Sequence, residues 1–510
     1  MFTKINSMGL AGMEAFEVAV ETDLSMGMPS FDVVGLPDAG VKESRDRVRS
    51  AMSNCQYEFP CNKIVINLAP AHIKKVGPIY DLPIFMGILT ASGQLNISLE
   101  KKAFIGELSL KGEVRAVAGV LPMLLCAKEA GYEEVYVPAA NAYEGGIVKD
   151  LKVYGVENIP QLIAHLQGVS LMEPVPETDL SAIAASSAHL DFADVMGQAE
   201  AKRALEIAAA GGHNVLLVGP PGSGKSMLAK RIPSILPPMT QEEMLQTTKL
   251  YSIAGMLSAE KPVISARPFR HPHHTVSPAG LTGGGSIPRP GEISLAHNGV
   301  LFLDEFPEFS RNSLEILRQP IEDHQVTISR VAASYSYPCS FMLVCAMNPC
   351  PCGFYGHSTR HCSCTPQAVN KYLSRISGPI LDRLDLHVEV MPSEFDQLSQ
   401  NKKAESSASI KQRVDRARKV QNKRFAGTNI TCNANITTDR LAEFCPLSTK
   451  AKLVFKASFE KLGLSARAYD RLLKVARTIA DLDGSEVIEA GHISEAVQYR
   501  SMDRKYWHAE

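Results

Sequence analysis

A chain of 510 residues is too long for one hydrophobic core and predicts about three domains. Its 53 Lys and Arg against 54 Asp and Glu exclude a globally basic nucleic-acid binder, so any basic surface must be local. With no apolar run of about 18 residues and no signal-peptide pattern, a cytoplasmic protein with no membrane partner is expected, and its eleven cysteines predict reduced thiols or metal ligands rather than a disulfide framework.

Residues 1–167 read as the first unit, with a charged helix over Lys42–Asn54, a strand over Ile64–Leu68 and an apolar helix over Asp81–Gly93. Lys42, Arg45, Arg47 and Arg49 follow Gly35-Leu36-Pro37-Asp38 and form a local basic run. Such a run is either a solvated helix face or a contact for phosphates or a neighbouring subunit. Three stretches, Gly77-Pro78-Ile79-Tyr80-Asp81, Gly106–Val114 and Ala127–Gly131 leading to Val135–Pro138, resemble the Lon-protease-like α+β fold, that of ribosomal protein S5 domain 2. Ile79 stands where Lon-type proteases carry their serine, and Leu121 and Met123 fill the lysine positions of the helix Gly119–Lys128. A nucleophile needs a base within hydrogen-bond reach. The unit is therefore expected to be a non-proteolytic platform.

Residues 168–190 are small, acidic and rich in Pro, Ser and Ala, and they read as a linker. A compact α/β unit follows over 191–395. It opens on the apolar strand Val215–Val218, then Gly219-Pro220-Pro221-Gly222-Ser223-Gly224-Lys225-Ser226 and a helix from Met227 to Arg231. The G-x-x-x-x-G-K-S spacing between a strand and a helix predicts an ATP site. Backbone N–H groups close around phosphate oxygens, Lys225 reaches the β- and γ-phosphates, and Ser226 offers its hydroxyl to Mg²⁺.

Two insertions follow. Arg267-Pro268-Phe269-Arg270-His271-Pro272-His273-His274 runs into a glycine-rich stretch ending at Pro288-Arg289. Pro272 interrupts the histidines and no carboxylate or cysteine joins them locally, so a loop or a nucleic-acid contact through Arg270 and Arg289 is expected before a metal. Val326–Arg330 and Ser334–Tyr337 alternate in polarity and read as a hairpin. Between the insertions, Val300–Leu303 is an apolar strand ending in Asp304 and Glu305. Parallel sheets place ligands at that end of a strand. Asp304 would hold the Mg²⁺, and Glu305 is the candidate general base for the attacking water.

The next strand, Phe341–Met347, ends at Asn348, whose amide can orient that water without adding charge. Cys350, Cys352, Cys362 and Cys364 form two C-x-C pairs that could bind a structural Zn²⁺, with His357 and His361 as substitutes. Arg375 and Arg383, the latter in Leu381–Leu386, and Arg467, in Leu464-Ser465-Ala466-Arg467, can each stabilise charge at a phosphoryl group from their own subunit or a neighbour. The tail over 408–505 reads as helical. Ile410, Val414 and Ala417 share one helix face, Leu472 to Ala480 form an amphipathic helix from Ala466, and His492–Tyr499 begins another.

The phosphate loop, the Asp304-Glu305 strand, Asn348, the segment Ser377–Asp385 and Leu464–Arg467 resemble the AAA+ ATPases related to magnesium chelatase. With the Lon-like first unit, nearly the whole chain resembles the ComM/YifB family of bacterial proteins. The resemblance implies an oligomeric ring, a hexamer, with Asn348 as first sensor, Arg383 as the finger donated across the interface, Arg467 as second sensor in a helical lid, and Arg375 as a further interface residue. It matches the insertion Arg267–Arg289 to the helix-2 insert of this branch. It matches the hairpin to the pre-sensor-1 hairpin of MCM-type helicases, with Arg330 pointing into the pore toward DNA phosphates. The activity implied is a DNA motor on single-stranded or branched DNA, performing branch migration in recombination and natural transformation. The alternative is a chelatase-like or chaperone-like motor that remodels a protein partner.

Overall fold

The computed structural model describes residues 1–180, 190–285, 288–329, 334–357, 360–392, 404–462, 465–500, 502 and 506–507. The first unit is built on a seven-stranded mixed sheet. Its strands lie in the order Ser30–Val34, Lys63–Ala69, Glu14–Ser25, Phe2–Ala11, Lys102–Phe104, Glu134–Pro138 and Lys152–Val156. Alternation sets its inner face: Val18, Val20, Thr22 and Leu24 point inward from one strand, Ile64, Ile66 and Leu68 from its neighbour. The helix Asp81–Ala91 is apolar on all sides, and all but Thr90 of its residues are buried. The charged helix breaks at Glu43 into Ala39–Lys42 and Ser44–Asn54. Its Arg47 is not displayed: Nε lies 2.6 Å from the buried Asp81 carboxylate. Ile79, Leu121 and Met123 are buried.

Much of the stretch expected as a linker lies on this unit. Val175 N donates to Val153 O (2.8 Å) and Thr178 N to Gly146 O (2.7 Å).

The ATPase unit carries a five-stranded sheet, parallel throughout, in the order Phe269–Arg270, Val300–Leu303, Met342–Met347, Val215–Val218 and Leu386–Glu389. Its three central strands are buried along their whole length, as expected of a parallel sheet covered on both faces. Val215 and Leu217 face one core, shared with the helix Ala199–Gly211 and the tail. Leu216 and Val218 face the other, shared with the helix Gln241–Ala254 and the hairpin Gln325–Ser329/Ser334–Pro338. The helix after the phosphate loop runs over Lys225–Ala229, beginning two residues before the expected Met227.

The tail comprises the helices Ser407–Arg424, Thr449–Leu462, Ala466–Leu482 and Ala490–Gln498. Ile410, Val414 and Ala417 are buried on the first, and Leu472 to Ala480 supply the buried face of the third. The molecule is thus mixed α/β, with an α+β first unit, a P-loop α/β core and a helical tail. No helix among the described residues is long and apolar enough to cross a membrane.

The first two units interlock. Glu144 accepts from Leu121 N (2.9 Å) and from Ser252 Oγ of the ATPase helix Gln241–Ala254 (2.5 Å), and Gly119 N donates to Ser252 O (2.9 Å). Val263 and Leu245 of the ATPase unit join the first unit's core, and Met13 packs against the ATPase core.

Candidate nucleotide site

Three parallel strands deliver the site at their carboxyl ends. Val215–Val218 leads into Gly219, Val300–Leu303 into Asp304, and Met342–Met347 into Asn348. Gly222 turns the loop with φ +77°, and a Cβ there would point into open space, so the backbone can close on a bulky anion. Pro220, Pro221 and the buried Ser223 complete the turn before Gly224 caps the short helix.

Lys225 Nζ donates to Gly219 O (2.7 Å), Pro220 O (2.9 Å) and Asn348 Oδ1 (3.2 Å). Burial pushes this ammonium down to about 8, opposed by the Asp304 carboxylate. Ser226 Oγ donates to Asp304 Oδ2 at 2.6 Å. One hydroxyl and one carboxylate in contact are a fitting pair for a hydrated Mg²⁺ that keeps most of its water and phosphate ligands.

Glu305 follows with φ +53°, a left-handed conformation uncommon for glutamate. The turn sends its side chain outward, more than half exposed, where Oε2 meets His274 Nδ1 at 3.1 Å. His271 lies over the Phe302 ring at 4.8 Å; burial lowers its pKa and Asp304 opposes the shift. The histidine insertion therefore covers the Asp304-Glu305 turn. Sequence spacing gave no signal for the His274–Glu305 pair, whose members are far apart in the chain.

The cysteine loop abuts the same loop. Cys350, Cys352, Cys362 and Cys364 bring their sulfurs within 4.8 Å of one another, the one such group of potential metal ligands among the described residues. His357 and His361 do not join it.

The arginines divide by location. Arg375 Nη1 donates to Glu308 Oε2 (2.6 Å), just beyond Glu305 and at the phosphate-loop end of the sheet. Arg383 lies at the opposite end. Its carbonyl accepts from Asn214 Nδ2 (3.0 Å), immediately before Val215, while its side chain is buried, pairs with Glu322 and donates to Pro379 O (2.6 Å). The Glu322 pair and the Pro379 carbonyl hold the two terminal nitrogens of Arg383, while its buried Nε has no hydrogen-bond partner among the described residues. Arg467 is exposed and lines a cavity of about 1010 Å³ with Asn214, Asn298, Asp385 and Arg471, again at the amino-terminal end of the strands. A four-residue strand spans roughly 13 Å. Arg467 thus stands away from its own chain's phosphate loop, although the tail also reaches the other end of the sheet, where Tyr506 OH donates to Glu389 Oε1 (3.2 Å).

The two insertions meet. Tyr337 OH donates to Pro288 O (2.9 Å), and Ile328 packs beside Gly283. The turn at Gly12 of the first unit lies against Tyr335. Arg289 is exposed at this junction. Arg270 is not available to a partner, since Glu292 grips it with two bonds of 2.7 and 2.6 Å. Arg330 lies outside the described residues.

Residues 191–398 match the family model of magnesium chelatase, subunit ChlI; residues 20–141 match that of subunit ChlI of Mg-chelatase, and residues 404–500 that of the ChlI C-terminal region. The chain is 44% identical to the protein YifB of Escherichia coli strain K12, over 99% of this chain and 98% of that one. It is 44% identical to the competence protein ComM of Haemophilus influenzae, over 97% and 96% of the two chains. A shorter likeness, 28% identical over 34% of this chain and 31% of the other, is to Lon protease 2 of Bacillus subtilis.

Proposed function

Because the chain belongs to the ComM/YifB family of magnesium-chelatase-like AAA+ ATPases, we propose that it is a ring-forming motor that uses ATP and Mg²⁺ to move DNA. One observation carries the ring: Lys225, Ser226, Asp304 and Asn348 converge at one end of the sheet, while Arg383 and Arg467 lie at the other. An ATP held by one subunit meets such an arginine only from the next subunit, and a head-to-tail contact that closes makes a ring. A homohexamer is the expected closure. Within each site Ser226 and Asp304 would hold Mg²⁺, Glu305 would take the proton of the attacking water, and Asn348 would orient that water.

The substrate reading rests on the junction of the two insertions. The described hairpin strands, Gln325–Ser329 and Ser334–Pro338, and the segment bearing Arg289 lie side by side, with the first unit's Gly12 turn against Tyr335. Arginines on such a surface contact phosphates without reading sequence, which suits single-stranded or branched DNA. The name competence protein, carried by the Haemophilus relative, supports branch migration in recombination and natural transformation as the setting. The chelatase model over 191–398 favours a second reading, a motor that remodels a protein partner. The four thiols Cys350, Cys352, Cys362 and Cys364 are the residues that would hold a structural Zn²⁺.

Steady-state ATP hydrolysis without DNA, with single strands and with a branched duplex tests the reading beside a Lys225→Ala control. Stimulation by DNA that vanishes in the control is expected. Robust hydrolysis indifferent to every DNA would overturn the DNA motor and favour the protein-remodelling alternative.

A further inference from the structure

Resting on the reading of the four cysteines as a zinc site, we propose that the bound Zn²⁺ controls affinity for ATP, by fixing a turn that props the phosphate loop at Pro221. The sulfur geometry suits one shared cation. Cys350–Cys352, Cys352–Cys362 and Cys350–Cys362 lie 3.3, 3.5 and 3.7 Å apart. A tetrahedron with Zn–S bonds of about 2.3 Å has edges of about 3.8 Å, whereas a disulfide needs about 2.05 Å. Tyr355 N lies 3.3 Å from Cys350 Sγ and donates to it, as outer-shell amides do for metal-bound thiolates.

The site touches the nucleotide machinery at two points. Cys350 is buried two residues beyond Asn348, whose Oδ1 accepts from Lys225. The ligand turn closes through Gly353 N to Cys350 O (3.0 Å), and Gly353 has φ +83°. A Cβ on Gly353 would collide with the ring of Pro221, so backbone and ring are in direct contact. No helix or strand falls between Cys350 and Cys364 among the described residues. Among the described residues the loop is held by His357 N to Phe354 O (3.2 Å), Arg360 N to His357 Nδ1 (3.1 Å), Arg360 over the Phe354 ring at 5.2 Å and Tyr355 against Tyr506 at 6.3 Å. Four metal–thiolate bonds would add one common anchor to these local contacts. Cys364 also precedes Thr365, the N-cap of the helix Pro366–Leu373, so the metal ties the end of the central strand to that helix.

Elemental analysis of the purified full-length protein should find zinc equimolar with the chain, and the double variant Cys362→Ser/Cys364→Ser should lack it. Affinity for a fluorescent ATP analogue should weaken about tenfold when zinc is extracted from the wild-type protein, the scale on which misplaced binding groups cost, and recover when Zn²⁺ is returned. Gly353→Ala leaves all four thiols in place; it should retain zinc and show the same loss. Zinc absent from the wild-type protein overturns the metal reading itself. Zinc present, with ATP affinity unmoved both by its extraction and by Gly353→Ala, overturns the control of the nucleotide site and leaves the metal reading standing. Should the double variant fail to fold, extraction and Gly353→Ala carry the decision.

Discussion

Arg471 Nη1 donates to Asp385 Oδ1 at 2.8 Å, and that bond fastens the helical tail to the amino-terminal edge of the ATPase sheet. Asp385 also accepts from Asn214 N at 2.9 Å and faces His213 at 3.6 Å. Burial alone would push its carboxyl up, but Arg471 and His213 outweigh burial and hold it well below the usual range. A depressed carboxylate stabilises the fold above its unfolded pKa, near 4, and that contribution disappears as pH falls through the folded value. Arg471→Ala leaves a buried carboxylate without its main cation. It should cost about 3–5 kcal/mol in the tail's urea transition at pH 7, and the deficit should shrink toward pH 2. An unchanged transition at pH 7 would refute this account of the tail.

The same placement predicts complementation between subunits. Lys225→Ala removes a chain's own phosphate-loop cation, and Arg467→Ala removes only what that chain could lend a neighbour. Each variant alone should hydrolyse ATP far below the wild-type rate. Mixed and allowed to exchange, they should recover part of it, because some interfaces then pair an intact Lys225 with an intact Arg467. No recovery despite demonstrated exchange would mean that Arg467 does not act across the interface.

Lys225 sets a pH limit on nucleotide binding. With its ammonium lowered to about 8 by burial, it is charged below that pH and neutral above it. ATP binding above pH 8 must first recruit a proton, so affinity should be level below and fall as pH rises through this value, approaching about tenfold per unit. Calorimetric titrations in two buffers of different ionisation enthalpy read the proton uptake directly. Equal affinity at pH 7 and 9.5 would sink the prediction.

Glu305→Gln keeps the size of the side chain and removes its basicity. Hydrolysis should fall about 10²- to 10⁴-fold, while affinity for ATP stays within a factor of a few. His274→Ala, which frees Glu305 without changing it, should lower hydrolysis far less than Glu305→Gln does. Single-turnover assays separate these effects from product release.

Local chemistry was legible in the sequence, and long-range placement was not. The phosphate loop, the strand ending in Asp304 and the strand ending at Asn348 are each contiguous patterns, and the parallel sheet needs only their adjacency to bring Ser226 to Asp304 and Lys225 to Asn348. The buried faces at Val414 and Leu472 follow from helical periodicity. Spacing cannot report which end of a sheet a later helix reaches, and only the bond from Arg471 to Asp385 places the helix that begins beside Arg467 at the amino-terminal edge. Arg270 reads as a free cation because its strand meets its partner Glu292 only through a helix that begins well downstream. The Arg383–Glu322 pair is hidden from spacing for the same reason, Glu322 lying well upstream. The break at Glu43 and the early start of the helix at Lys225 are end effects that periodicity does not resolve.

The contact through Glu144 and Ser252 bears on how the chain can be dissected. Burial raises the pKa of Glu144, while bonds from Ser252, Asn141 and Leu121 pull it back, so the carboxyl depends on groups from both units. Val263 and Leu245 of the ATPase unit are likewise covered by the first unit's apolar interior. Excising residues 1–180 would strip Ser252 of its acceptor and bare a greasy seam beside the helix Gln241–Ala254. A shortened chain that clumps or idles would then report an open wound on the remaining fragment, and would say little about what the missing portion contributes.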